Sequence, residues 1–131
     1  MGFDQREFVR LEASDDAFAA LGQGYVRVGK IKDISLGGSS FEYITDLEVQ
    51  QVSLDEIDIF ITGQEFYVAG IPCNIVYDIP MVNSNVFAKP FLTKRCGVKF
   101  GVLSEDQITQ MHVFLQGHTR GVAPDTFDDL A

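Results

Sequence analysis

The chain has 131 residues, 46% hydrophobic and 22% charged, with a formal net charge of −9. That length suits one domain able to bury its own core. The acidic balance opposes DNA or RNA binding, where phosphate neutralisation dominates affinity, and no run approaches the ~20 apolar residues of a membrane span, so no membrane insertion is expected.

The charge is unevenly spread. Residues 1–44 hold five Lys or Arg and seven acids, residues 45–88 hold no Lys or Arg and seven acids, and residues 89–131 hold five of each. An anion site must therefore be built from the two ends of the chain, with the acidic middle facing elsewhere.

The opening MGFDQREFVR lacks the apolar core of a secretory signal and carries acids early, so a cytoplasmic location is expected. From Ala17, "AFAALGQGYVRVGKIKDIS" reads as two extended runs joined near "GQG", because glycine supplies the positive φ of tight hairpins. The alternation of Val26, Val28 and Ile31 against Arg27, Lys30 and Lys32 slips at Gly29, which predicts a β-bulge or bend there. "SSFEYI" is a short strand with Phe41 and Tyr43 on one face, "TDLEVQQVSLDE" a loop, and "EIDIFI" a strand with Ile57, Ile59 and Ile61 inward. "EFYVAGIPCNIVYDI" is a longer strand bent near Gly70 and Pro72; "PMVNSNVFAKPFLTKR" passes from loop into a strand that "CGVKFGVL" completes.

"SEDQITQMHVFLQG" is a helix. Ser104 as N-cap and Gln107 three residues later form a capping box, with Glu105 and Asp106 at the positive end of the dipole. Ile108, Met111, Val113, Phe114 and Leu115 predict a broad apolar face, and Gly117 a stop. Five or six strands followed by a terminal helix indicate a mostly β fold, a small antiparallel barrel with the helix capping one open end.

Little points to catalysis. His112 and His118 lack a partner motif, and Asp55, Glu56 and Asp58 lack the glycine and closing Glu of a calcium loop. No GxSxG, P-loop or dinucleotide-binding pattern occurs. Cys73 and Cys96, with 22 residues between them and no CxxC, read as buried thiols. The chain is expected not to be an enzyme and to need no metal or cofactor.

Two stretches remain. In "REFVR", Arg6 and Arg10 stand four apart; guanidiniums are planar donors suited to phosphate oxygens or the O6/N7 edge of guanine. Solvated arginines on an amphipathic segment would look the same. In "KDISLGG", Asp33 and Ser35 share a side if the strand continues that far. A carboxylate there can accept from guanine N1–H and the 2-amino group, Ser35 adds a donor, and Gly37 and Gly38 permit close approach. A turn that merely caps itself remains the alternative.

The ordered pair, RxxxR and then DxSxxG on a strand, followed by "CGVKFGVLSEDQITQMHVFL", resembles the PilZ domain, a bacterial receptor for cyclic di-GMP, over roughly Arg6 to Gln116. The resemblance implies a six-stranded antiparallel (split) β-barrel with a C-terminal helix. It divides the chain into a flexible arginine loop at 1–12, the barrel and helix at 13–117, and a mobile acidic tail at 118–131. It implies cyclic di-GMP binding by Arg6, Arg10, Asp33, Ser35 and Gly38, with Gln5, Gly37 and Tyr77 as additional contacts. Tyr77, in "NIVYD", has two roles open to it: stacking on a base, or packing within its own strands. Gln5 stands where many binding members carry a further basic residue, and Asp4 precedes it, which implies modest affinity or a single bound ligand rather than a stacked pair.

The function so implied is a receptor that orders its arginine loop over cyclic di-GMP and shows a changed surface to a downstream protein. "MVNSNVFAKPFL" and "DTFDDLA" are the expected partner surfaces. The alternative is a PilZ-like interaction protein that binds no nucleotide, for example in pilus or motility assembly.

Overall fold

Alternating apolar residues in short β-rich runs bury one face of most strands, and eight strands form one sheet. The structure is a computed structural model that describes residues 8–22, 27–45, 54–64, 66–81 and 92–123. In chain order the strands are β1 Leu11–Ala13, β2 Ala17–Leu21, β3 Arg27–Ile34, β4 Gly38–Thr45, β5 Glu56–Ile61, β6 Tyr67–Pro80, β7 Leu92–Phe100 and β8 Thr119–Val122; helix α1, Glu105–Gly117, precedes β8.

Every pairing is antiparallel, and the order runs β2-β5-β6-β7-β4-β3-β1-β8. A second pairing of β2 with β3 closes the six strands β2–β7 into a barrel and leaves β1 and β8 outside it. Closure removes exposed sheet edges from those six strands.

The core is the set of inward side chains. Ile57, Ile59 and Ile61 face in as their alternation requires, and Phe41 and Tyr43 share a face with ring centroids 5.8 Å apart. Cys73 and Cys96 are buried and unbridged. No described helix is long and apolar enough to cross a membrane.

The bulge expected at Gly29 lies elsewhere. Gly29 keeps regular register, opposite Ala19 and Tyr43, while the ladder shifts between Ile31 and Asp33. Gly29 is required by space: a Cβ there would run into the carbonyl oxygen of Glu42. Val28 consequently points outward, 43% exposed, rather than into the core. The shift makes Lys32 the extra residue of β3, with a consequence for Asp33. Ile31 and Ile34 both lie in the core, so Asp33 between them turns to the outer face.

A second bulge bends β6 where Gly70 adopts φ +67°. Asp58 holds it by accepting from the Gly70 amide at 2.8 Å and the Tyr67 hydroxyl at 2.9 Å. That acid, weighed above as a metal ligand, braces a strand, and no group of three or more His, Cys, Asp or Glu among the described residues could hold a metal ion.

Helix α1 starts at the expected capping box, with both reciprocal bonds formed between Ser104 and Gln107. Its buried face is narrower than the sequence suggests. Met111 and Phe114 are fully buried and Leu115 packs beside them, but Ile108 is 39% and Val113 53% exposed. One stripe of the helix, Met111 and Phe114, joins the barrel's core cluster, and the faces turned away from it stay exposed. Gly117 is the last helical residue; His118 closes the end, its amide reaching the Phe114 carbonyl at 2.8 Å and its ring packing on Phe66 and Phe114.

The chain does not turn into a loose tail at 118. Thr119–Val122 pairs with β1, and the Ala123 amide donates to the Arg10 carbonyl at 3.0 Å. Likewise Leu11 and Glu12, placed above in the arginine loop, already belong to a strand paired with β3. The "GQG" linker beyond Gly22, most of the "MVNSNVFAKPFL" segment and the "DTFDDLA" tail lie outside the described residues.

Candidate functional site

The bulge at Lys32 presents Asp33 to the outer faces of β4 and β7, where core residues alternate with others. On β7, Cys96, Val98 and Phe100 face in, leaving Arg95 and Gly97 outside; Ser40 of β4 stands opposite Asp33 and Gly97. The Asp33 carboxylate is 1% exposed there. Its Oδ2 accepts from Ser40 Oγ at 2.8 Å and Arg95 Nη2 at 3.0 Å. Its Oδ1 accepts from Arg10 Nη1 at 2.7 Å. Arg10 and Arg95 are themselves buried, so two guanidiniums share one carboxylate away from water. Burying charge is tolerable only with such pairing and hydrogen bonding.

Register carries Arg10 to this spot. β1 lies antiparallel beside β3, with Leu11 opposite Ile34 and Glu12 opposite Asp33. The residues just before β1 therefore cross the end of β3. Phe8 rests on the turn, its Cδ2 3.0 Å from where a Gly37 Cβ would stand. Gly38 is required at its position: a Cβ would meet the Val98 carbonyl and come within 3.0 Å of Arg10 Nη2.

Sequence-expected residues thus fall into two groups. Arg10, Asp33 and Gly38 come together, although 23 residues separate the ion pair. Ser35 is buried in the turn, where its amide donates to the Gly38 carbonyl at 2.9 Å and its hydroxyl accepts from the Gly37 amide at 3.0 Å. The hydroxyl proton remains available to donate. Gln5 and Arg6 lie outside the described residues. Tyr77 is 8% exposed, packed so closely on Gly97 that any Cβ there would enter its ring; burial pushes its phenol pKa above the ordinary value.

Arg95 and Ser40 are site members that sequence reasoning missed. A cation next to the apolar run "CGV" was the available signal for Arg95. Its partner lies 62 residues away, and only the β3-β4-β7 order makes them neighbours. A cleft of about 250 Å³ adjoins the cluster, lined by Glu12, Asp15, Lys30, Lys32, Asp33 and Arg95 among others. Lys30 and Arg120 hold the Asp15 carboxyl at about 2, below its usual range.

A parallel cluster occupies Asp78 on β6, in the stretch without basic residues. It accepts from Arg27 at 2.8 Å, Lys94 at 3.1 Å and the Tyr43 hydroxyl at 2.7 Å. The acidic middle therefore does not face wholly away from the basic ends: Asp78 engages cations from both.

No protein-family model and no curated protein matches this sequence. Solved structures do match. The crystal structure of YcgR from Escherichia coli in complex with c-di-GMP aligns with a TM-score of 0.58 at 15% identity, covering 86% of this chain and 46% of that one. The PilZ domain of the same protein with c-di-GMP aligns with a TM-score of 0.56 at 14% identity, covering 86% of this chain and 91% of that domain. This chain thus spans about half of the longer YcgR chain and nearly all of its PilZ domain.

Proposed function

From the PilZ fold of this chain we infer that it is a receptor for cyclic di-GMP, with no catalytic role, that passes its signal to another protein. The observation that carries this reading is the meeting of Arg10 with Asp33 at 2.7 Å beside Gly38. Two motifs far apart in sequence converge on one outer face of the barrel, as a composite site requires. Their chemistries are complementary to one ligand: guanidiniums for phosphate and the guanine O6/N7 edge, a carboxylate for guanine N1–H and the 2-amino group. The YcgR structures, bound to c-di-GMP on the same fold, support the same ligand.

The signalling step is closure of the segment holding Arg6 and Arg10 over the ligand, which changes the surface seen by a downstream protein. Phe8 against Gly37 and Arg10 against Asp33 support it, since they lay residues 8–10 across the turn. Calorimetric titration of the full chain with cyclic di-GMP, for wild type and Arg10→Ala, tests the reading. Saturable heat in the wild type that disappears in the variant is the expected result; no heat at tens of micromolar ligand refutes it. A second reading, an interaction protein that binds no nucleotide, is favoured by the internal partners Asp33 and Ser35 already have. The same titration separates the two.

A further inference from the structure

The two oxygens of Asp33 are held by different kinds of neighbour. Oδ2 belongs to a triangle in which Arg95 Nη2 also reaches Ser40 Oγ at 2.9 Å. Ser40 and Arg95 stand on β4 and β7, joined by eight consecutive residue pairs within the closed barrel. Both side chains are thus anchored on paired strands of the barrel wall. Oδ1 is held by Arg10, which precedes a three-residue strand outside the barrel and whose backbone is tied to Ala123, the residue after the outer strand β8. Arg10 is the partner that can leave.

A guanidinium edge offers a carboxylate N–H donors in one plane. The N1–H and 2-amino group of guanine offer the same pattern. Both address the same acceptor, and Oδ2 already receives two hydrogen bonds from the wall.

We propose that Arg10 is a built-in substitute for the guanine edge at Asp33 Oδ1, so that guanine binds by exchange with it, while Arg95 is a positioning residue that keeps Oδ2 and orients the carboxylate. The proposal rests on the nucleotide reading above and states how that site is gated. On exchange the Arg10 guanidinium leaves the carboxylate and becomes available to the phosphates or the O6/N7 edge of the incoming ligand. Arg95 stays in place. The ligand must thus displace a charge-assisted hydrogen bond to gain its own, which keeps affinity below that of a site with an unengaged Asp33.

The test follows arginine guanidinium signals by NMR in the full chain labelled with 15N-arginine, without and with cyclic di-GMP, with calorimetry on the same samples. Arg10→Lys and Arg95→Lys assign the signals. Saturation is expected to shift the Arg10 signals strongly and leave those of Arg95 nearly unmoved. Binding heat with Arg10 unmoved, or with both arginines moved alike, overturns the exchange and leaves the nucleotide reading standing. Absence of heat removes the nucleotide reading and the exchange with it. For the positioning role, Arg95→Met is expected to lower the preference for cyclic di-GMP over its inosine analogue, which lacks the 2-amino group, by about tenfold, the worth of one hydrogen bond. Arg95→Lys should restore part of that preference. Equal weakening toward both ligands would mean Arg95 is merely structural and would overturn its assignment.

Discussion

Replacing Asp33 by Ala probes the centre of the site. The carboxylate is 1% exposed and engages Arg10, Arg95 and Ser40. Its removal takes from Arg95, 8% exposed, the carboxylate that faces it in the barrel wall. Breaking a buried pair by deleting one partner costs about 3–5 kcal/mol, because the surviving charge is uncompensated. Arg10 lessens the damage, since its segment lies outside the barrel and can carry its charge into water. The expected loss is therefore about 3 kcal/mol, the lower end of that range. A domain of this size is stable by about 5–15 kcal/mol, so the variant should still fold. Urea denaturation followed by circular dichroism reads the loss: with a slope of about 2 kcal/mol per molar, the midpoint falls by about 1.5 M at unchanged slope. Arg10→Met should cost clearly less than Arg95→Met, because only Arg95 is fixed in the closed ladder. A midpoint shift for Asp33→Ala below about 0.3 M would refute the buried network as a stabilising element. Equal costs for the two arginine variants would refute the distinction between a fixed and a replaceable partner.

Other substitutions follow from single contacts. Gly29→Ala should cost about 3 kcal/mol or more, since its Cβ meets the Glu42 backbone, which cannot move without parting β3 from β4; a neutral effect on the denaturation midpoint would show that the strands can separate there. Ser104→Ala removes the N-cap of α1 and should lower stability by about 1 kcal/mol, measured by thermal unfolding, with ligand affinity unchanged. Burial pushes the Cys73 thiol up to about 11 and Cys96 to about 12. Because the unfolded thiols ionise near pH 8.5, unfolding releases protons above that value, and each thiol's contribution, complete below it, is lost as pH rises toward the folded pKa. Stability should fall by about 1.4 kcal/mol per thiol between pH 7.5 and 9.5. An unchanged slope in Cys96→Ala would refute this origin.

What could be read along the chain was what neighbouring residues decide between themselves. The capping box needs only Ser104 and Gln107, three residues apart, and it formed as expected. The alternation of Ile57, Ile59 and Ile61 follows from the two-residue period of a strand and holds whichever strands flank it. The pairing of "AFAAL" with "RVGK" across a glycine-rich linker is similarly local. Composition, turn signals and strand count were enough for a closed β-barrel with a terminal helix.

The remaining features depended on which strands became neighbours. A bulge is placed by two facing backbones, so the shift fell at Lys32 where β3 meets β4, while the glycine that suggested one serves a close approach instead. How much of α1 is buried was decided by how it meets the barrel core, where only one stripe of it packs, hence the exposed Ile108 and Val113. The strand at Thr119–Val122 exists because β1, more than a hundred residues earlier, offers it an edge. Above all, "KDISLGG" and "REFVR" each carried their chemistry in residue type alone, yet their meeting at Asp33, and the entry of Arg95 and Ser40 into the same cluster, came from the strand order β7-β4-β3-β1. Residue types set what each side chain can bond; hydrogen bonds are short-ranged, so only the register of the folded sheet decides which of them are close enough to do so.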